Sequence, residues 1–329
     1  MADVSGSHEP QRDVGATFGT AATEYAADRA TGVHGAGGIA GETGGRSQLH
    51  LAFRRFIRHR MALAGLTIFL LLVAVAFIAP SFWKWGYADI TPAYASGPDA
   101  AHPFGTDTIG HDLFAQVLVA TQTSLKTAFI VTVIATALGT VIGAVAGYYG
   151  KLADATLMRF TDLVLTVPLL ALLLVLANIL SSQSSNYLYI AIIIAAVLWT
   201  YLARLVRGTF LSLREHDYVI AARAIGSTNR RIIFRHMIPN AIGPIVVNAT
   251  LTVANAILIE SALSFLGLGI QPPEVSLGSL INNGQGSATT QWWLFAFPSG
   301  VLVLIILAVN FVGDGLRDAL DPRQTRVRA

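Results

Sequence analysis

Residues 201–240 read YLARLVRGTFLSLREHDYVIAARAIGSTNRRIIFRHMIPN, and this basic stretch lies between two uncharged apolar runs. Seven arginines make it too polar to cross a bilayer. Residues 215–225 predict a helix that ends at Gly226, because glycine readily adopts the left-handed conformation. Ser227 or Thr228 can then cap the next helix. The stretch therefore predicts a helix-turn-helix on a membrane surface, held there either by anionic lipid or by a cytoplasmic partner protein.

The uncharged runs predict transmembrane helices. About 20 apolar residues of helix cross a bilayer core, and helices satisfy their own backbone groups there. Of the 329 residues, 53% are hydrophobic and only 12% are charged, and the mean hydropathy is +0.59. This composition excludes a chain that is disordered or water-soluble as a whole. We predict an all-α polytopic membrane protein with six spans: residues 61–83, 127–150, both halves of 163–203 around the polar residues 181–186, 237–259 and 292–313.

The N-terminal region contains two further features. Residues 1–50 are rich in Gly, Ala, Ser and Thr without helical or strand period, which predicts a flexible tail. Residues 51–60, LAFRRFIRHR, place apolar side chains on one helical face and arginines on the other. This pattern fits either a short helix at the lipid headgroups or a basic flank of the first span.

The basic residues set the orientation of the chain. Seventeen of the 22 lysines and arginines lie on one side of the predicted spans, whereas residues 181–186 and 267–291 contain none. Cytoplasmic loops carry the excess of positive charge. We therefore expect both termini and the loop 204–236 in the cytoplasm.

Small and polar residues inside the spans are candidates for packing and transport. Gly139, Gly143 and Gly147 form a stripe that lets another helix approach closely, within this chain in preference to a second subunit. Asn248 and Asn255 lie two helical turns apart on one face, with Glu260 toward a neighbouring face. An ionisable side chain within a span faces the protein interior or a watery path, so these three residues either line a translocation pathway or hydrogen-bond another helix.

Turn and cap residues complete the pattern on the outer side. Thr106 or Asp107 is expected to cap the helix that leads into the second span. Pro168 and Pro298 are expected to kink the third and sixth spans, because proline lacks a backbone donor. The fifth span is expected to end in a turn containing Gly267, Gly269 and Pro272.

Several functional classes find no support in the sequence. It contains no cysteine, and it lacks the phosphate-binding G-x-x-x-x-G-K-[ST] loop, H-E-x-x-H and G-x-S-x-G. The eight histidines are scattered, which argues against a metal site. The net charge of +3 is too small to indicate nucleic-acid binding. We expect no catalytic residue, no metal and no cofactor in this chain.

Ordered motifs resemble those of one family. YVIAARAIG (218–226) and RHMIPN (235–240) look like the EAA loop of ABC importer permeases, and specifically of the C-type subunits of the dipeptide/oligopeptide family. Ile220 occupies the position of the glutamate that gives the loop its name. Similar matches follow the chain order: HPFGTDTIGHD (102–112), GYYG (147–150), MRFTD (158–162), LSFLGLGIQPP (263–273) and NFVGDGLRDALDPR (310–323).

The resemblance implies a type I ABC importer fold and a function. Such a chain is a non-catalytic permease subunit that pairs with a second homologous permease, two cytoplasmic ATPases that bind ATP and Mg, and an extracytoplasmic substrate-binding protein. It lies in the inner membrane of a prokaryote. The implied outer gate is the turn at Gly267, Gly269 and Pro272. The implied ATPase-coupling residues are Tyr218, Ala221, Ala222, Arg223, Gly226, Arg230 and Pro239.

The predicted domains follow from these features. They are a cytoplasmic tail (1–50), an interfacial helix with the first span and an extracytoplasmic segment (51–120), a permease core (121–316) with the coupling loop 204–238, and a C-terminal tail (317–329). The expected cargo is a dipeptide or oligopeptide. Nickel complexes, haem or glutathione are alternatives within the class, and an ion-driven secondary transporter is the alternative from another class.

Overall fold

The structure is a computed structural model that describes residues 48–181 and 186–320. Almost all of the predicted tail 1–50, the centre of the predicted hairpin at 181–186 and residues 321–329 lie outside the described residues. The described chain is built from helices joined by short turns and by two longer segments, residues 82–112 and 266–276. This confirms the all-α class.

The helices are numbered in chain order. A 3₁₀ turn, Ala79–Ser81, extends the second helix, and the short turns Asn229–Arg231 and Ile232–Met237 lead into the eighth. The helices are α1 (Gln48–Arg58), α2 (Arg60–Ile78), α3 (Leu113–Tyr149), α4 (Lys151–Thr166), α5 (Leu169–Ser181), α6 (Tyr187–Leu213), α7 (Asp217–Ala224), α8 (Ile238–Phe265), α9 (Leu277–Gln285) and α10 (Trp292–Leu320).

Among the described residues, five helices are long and apolar enough to cross a membrane: α2, α3, α6, α8 and α10. The third predicted span differs from expectation, because α4 and α5 form a pair bent by 88° that counts as a sixth span only when taken together. The break falls at Val167 and Pro168. Val167 is extended (ψ 132°), since the ring of a following proline disfavours the helical conformation. The expected kink at Pro168 is therefore a complete break.

The second and fifth spans extend beyond their predicted bounds. α3 begins at Leu113 instead of residue 127, and α8 continues past Glu260 to Phe265. Two polar residues in these extensions, Ser124 and Glu260, are fully buried. Polarity therefore does not end a helix here, because protein rather than lipid surrounds it.

The stripe Gly139, Gly143 and Gly147 packs against α6 of the same chain. A Cβ added at Gly147 would lie 2.6 Å from the Cβ of Phe210, and one at Gly139 would lie 2.8 Å from the Cβ of Leu202. One at Gly143 would collide with the carbonyl oxygen of Ala203. Only glycine permits this approach of α3 to α6.

The cap of α3 is Asp112, not Thr106 or Asp107. The Asp112 carboxylate accepts from the N–H of Ala115 at 2.8 Å, from the indole N–H of Trp83 at 3.1 Å and bonds His102 Nδ1 at 2.7 Å. The Asp107 carboxylate instead accepts from the N–H groups of its own turn, at Ile109, Gly110 and His111. The two motif aspartates therefore close different turns.

Candidate functional site

Helix α7 forms a helix-turn-helix with the following turns. Gly226 has a positive φ of 79°, and its N–H donates to the carbonyl of Arg223 at 3.0 Å, while the N–H of Ser227 donates to the carbonyl of Ala222 at 3.0 Å. Thr228 caps the next turn by accepting from the N–H of Arg231 at 3.4 Å. The glycine stop and the threonine cap are those that the sequence predicts.

A buried cluster fixes α7 to the ends of the long helices. Val219 is fully buried, and Ala222 is 6% exposed. They pack in one cluster with Phe210 of α6 and Met237 before α8. The Tyr148 hydroxyl of α3 donates to the Asn229 amide oxygen at 2.7 Å. Residues of three long helices, α3, α6 and α8, therefore form the cluster in which α7 is packed.

The opposite face of α7 is apolar and exposed. Ile220 is 50% exposed and Ile225 is 82% exposed, and Phe234, which lies beside Arg230, is 62% exposed. Ala221 is exposed as well. Large apolar side chains this open to water are typical of a docking surface. Ile225 and Phe234 are not among the sequence-predicted site residues, although apolar side chains within a basic loop are a signal for them.

Charged and aromatic groups surround this face. Arg223 and Arg230 are exposed, and the Arg223 guanidinium lies 5.9 Å from the Tyr148 ring centroid. Tyr218 is 39% exposed, and partial burial raises the pKa of its phenol because burial disfavours the charged form. The face therefore offers apolar contacts bordered by positive charge.

Pro239 marks the entry into α8. It lies in the first turn of that helix and is exposed, and the preceding Ile232–Met237 forms a π-helical turn. Proline has no N–H for the carbonyl four residues back and its ring crowds that oxygen, so the widened turn accommodates it. The amide of Asn240 satisfies the carbonyl of His236 at 2.6 Å.

Ion pairs join α4 to α6 near the same end of the molecule. Arg207 makes a two-pronged contact with the Asp154 carboxylate, with its Nη2 atom 2.7 Å from Oδ2. Arg204 lies 2.5 Å from an Asp162 oxygen. The bent pair α4 and α5 is thereby attached to the helix that leads into α7.

The second candidate region surrounds Glu260. Its carboxylate is fully buried and accepts from the Ser124 hydroxyl of α3 at 2.8 Å and from the Ser264 hydroxyl at 2.8 Å. The Ser261 hydroxyl lies at 3.4 Å. Serine hydroxyls, and no cation within the described chain, satisfy this carboxylate. Glu260 therefore links α8 to α3.

The predicted pathway residues do not form one cluster. Asn255 is exposed and Asn248 is half-buried, whereas Glu260 is enclosed by serines. Of these three residues, the two asparagines are accessible on the surface of α8, and Glu260 is not.

The predicted outer turn is built onto the Glu260 cluster. The Ser264 hydroxyl that donates to Glu260 also accepts from the N–H of Ile270 at 3.1 Å. Gly267 has a positive φ of 78°, and a side chain on Gly269 would collide with Ser264. Pro272 is followed by a cis peptide bond to Pro273. The turn and the buried carboxylate therefore form one unit.

The fold and the fixed surface helix define a class, the membrane subunits of binding-protein-dependent importers. A family model described as binding-protein-dependent transport system inner membrane component matches residues 139–326. Another, the N-terminal TM domain of oligopeptide transport permease C, matches residues 47–102. The chain belongs to the family of binding-protein-dependent transport system inner membrane components.

Similar proteins with known names include permeases of peptide transport systems. The chain is 42% identical over 283 residues to the oligopeptide transport system permease protein OppC of Mycobacterium tuberculosis strain H37Rv, covering 86% of this chain and 97% of the relative. It is 38% identical over 273 residues to the dipeptide transport system permease protein DppC of Alkalihalophilus pseudofirmus, covering 83% and 89%.

A solved structure shares the fold. An inward-facing form of the MetNI methionine ABC transporter matches with a TM-score of 0.52 and 17% identity, over 64% of this chain and 98% of the transporter chain. At this identity the likeness concerns the fold alone. The chain is thus a multi-pass membrane protein with a type I importer fold.

Proposed function

We propose that this chain is one of two homologous permease subunits of an ATP-driven importer for dipeptides or oligopeptides. The observation that carries the proposal is the fixed, exposed α7 in a chain whose peptide-permease relative is matched over 97% of its length. The names of the relatives support a peptide cargo. Nickel complexes, haem and glutathione are the alternative cargoes within this class.

In this proposal, α7 couples the permease to an ATPase. Ala221, Ile220 and Ile225 dock in an apolar groove of the ATPase, and Arg223 and Arg230 contact acidic groups at its rim. Tyr218, Ala222, Gly226 and Pro239 give the element its shape. Because α3, α6 and α8 hold α7, a push on this helix moves the spans as rigid bodies, which is how type I transport would alternate access.

The chemistry of ATP hydrolysis then belongs to partner subunits. The sequence lacks a phosphate-binding loop of the Walker type, so two cytoplasmic ATPases would bind ATP and Mg, while this chain performs no catalysis. An extracytoplasmic binding protein would deliver the peptide to the side that holds the Gly267–Gly269–Pro272 turn, which would form part of the outer gate. Asn248 and Asn255 would line the pathway, and Glu260 would hold the gate turn.

The proposed orientation follows from the basic residues. Arg204, Arg223 and Arg230 lie at the α7 end of the bundle, and the segment with α9 carries no lysine or arginine. We place both termini and α7 in the cytoplasm and the protein in the inner membrane of a prokaryote. The lipid bilayer surrounds its transmembrane helices.

Reconstitution tests this function. The chain is co-expressed with the products of its neighbouring genes, and uptake of a labelled dipeptide and a labelled pentapeptide into vesicles is measured with and without ATP. We expect uptake that requires ATP and the binding protein. Uptake driven by an ion gradient without ATP, or a purified chain that associates with no ATPase, would refute the proposed function. Parallel measurements of haem, nickel and glutathione uptake identify the cargo.

A further inference from the structure

Helix α1 packs against the end of α10 through one side of the helix. Ala52 is 9% exposed, and Phe56 one turn later covers the small residue Gly315 of α10, where an added Cβ would lie 3.3 Å from Phe56 Cε2. The α1 helix therefore rests on the end of α10.

The position of α1 along the spans is fixed by two neighbours. His59 is extended (φ −86°, ψ 100°), so it interrupts the helix, and its ring accepts from the N–H of Ala62 at 3.1 Å as the cap of α2. The uncharged run of α2 begins two residues later, at Met61. Gly315 lies next to Asp314, the first charged residue of α10. α1 therefore lies at the level where both spans leave the hydrocarbon.

The free faces of α1 combine exposed apolar and basic side chains. Phe53 and Ile57, one turn apart, are 64% and 46% exposed. Arg54 and Arg58 form the next exposed row, and Arg60 is exposed as well. Between residues 48 and 60 there is no acidic residue. In water, such an arrangement exposes apolar surface, whereas at a bilayer surface both rows have partners.

The charges near α1 do not neutralise this basic row. Within the described chain, Arg54, Arg58 and Arg60 take part in no ion pair. The carboxylate of Asp318 on α10 lies 3.4 Å from His59 Nε2. Asp314, Arg317 and Asp318 line a cavity of about 440 Å³ beside His59. The row is therefore open to an anionic partner from outside the described residues.

We propose that α1 is a binding surface for the headgroups of anionic phospholipids. Phe53 and Ile57 insert at the boundary between headgroups and acyl chains, and the guanidinium groups of Arg54, Arg58 and Arg60 bind lipid phosphates. Zwitterionic lipids satisfy the apolar row alone, so α1 selects acidic lipids from a mixed leaflet. This property does not depend on the cargo or on the ATPase.

The absence of cysteine from the sequence makes a local test direct. An Ile57→Cys variant of the full chain, labelled with a fluorophore, is placed in nanodiscs of equal parts phosphatidylcholine and phosphatidylglycerol. One lipid at a time carries a nitroxide near its headgroup, and quenching of the fluorophore is compared. We expect stronger quenching by phosphatidylglycerol, with a preference that falls roughly tenfold in Arg54→Gln/Arg58→Gln and weakens with added salt.

A matched variant separates local binding from total charge. Arg230→Gln/Arg235→Gln removes two exposed cations far from α1 along the chain, and the preference at residue 57 should be unchanged. Equal quenching by both lipids, or a preference that survives the α1 substitutions, would overturn the proposal. A label that neither lipid quenches would show that protein covers this face, which would equally overturn it.

Discussion

The backbone conformation at Gly226 limits which residues this position accepts. Its φ of 79° is in the left-handed region, yet an added Cβ would meet no atom within 4 Å. The need for glycine is therefore conformational and not spatial.

We predict that Gly226→Val uncouples transport from hydrolysis. A β-branched residue in this conformation costs about 1–2 kcal/mol, which reshapes the end of α7 without unfolding the spans. Peptide uptake per ATP hydrolysed should fall several-fold in reconstituted vesicles. The control is Gly208→Ala, since Gly208 also has open space but no positive φ. Equal coupling ratios in the two variants would contradict the prediction.

A second residue-scale prediction concerns Gly143. An alanine Cβ there would collide with the carbonyl oxygen of Ala203 and lie 2.8 Å from Val206 Cβ. Overpacking of this kind costs about 1–3 kcal/mol. We expect Gly143→Ala to lower the thermal unfolding midpoint of the purified chain. Gly300→Ala, at a position with no atom within 4 Å, should leave the midpoint unchanged or raise it.

At the scale of the element, Glu260 connects α3, α8 and the outer turn. Removing its carboxylate leaves the buried hydroxyls of Ser124 and Ser264 without their acceptor, at about 1–3 kcal/mol for each such group. We predict that Glu260→Ala accelerates amide hydrogen exchange across residues 264–276, and that Glu260→Gln, which keeps one acceptor oxygen, does so less.

The location of the faster hydrogen exchange shows whether Glu260 holds the outer turn specifically or stabilises the whole chain. Exchange in α7 should be the same in both Glu260 variants, because its cluster of buried residues is separate. Uniform acceleration over the whole chain would show that Glu260 supports overall stability only.

The face of α7 yields an element-scale prediction about assembly. Ile225 is 82% exposed, so Ile225→Asp should fold normally but weaken binding of the ATPase, measured by co-purification. Leu152 on α4 is 81% exposed, and Leu152→Asp is the matched substitution of an equally open side chain. Equal losses of ATPase in both variants would argue against α7 as the docking site.

The sequence predicts the features of α7 that depend on neighbouring residues. It does not predict features that depend on contacts between residues distant in sequence. The stop at Gly226 and the cap at Thr228 depend on neighbouring residues, so the sequence predicts them correctly. The bond from Ser124 to Glu260 joins residues 136 positions apart, and no local pattern indicates it. The same reason explains why the helix of the second span begins at Leu113, before the predicted run 127–150, since Ser124 is buried by a contact with Glu260 that is distant in sequence. The cap at Asp112 is likewise fixed by His102 and Trp83.

For the whole molecule, the proposed orientation in the membrane predicts which residues face the outside of the cell. The sequence contains no cysteine, so single cysteines report accessibility without background. We predict that Ser287→Cys reacts with a membrane-impermeant maleimide on intact cells, and that Ser227→Cys reacts only after permeabilisation. The reverse pattern would invert the assigned topology. Both residues lie outside the helices, so the substitutions should not disturb packing.

The length of α3 has a mechanical consequence. Its 37 residues measure about 55 Å, well beyond a hydrocarbon core of roughly 30 Å. One end carries Tyr148 and its bond to Asn229 beside α7, and the other begins at the Asp112 cap. If an ATPase docks on α7 as proposed, a tilt of α3 by about 5° about its α7 end would swing the Asp112 end through roughly 5 Å. A small rotation beside the ATPase would then produce, on the opposite side of the membrane, a displacement close to the rise of one helical turn.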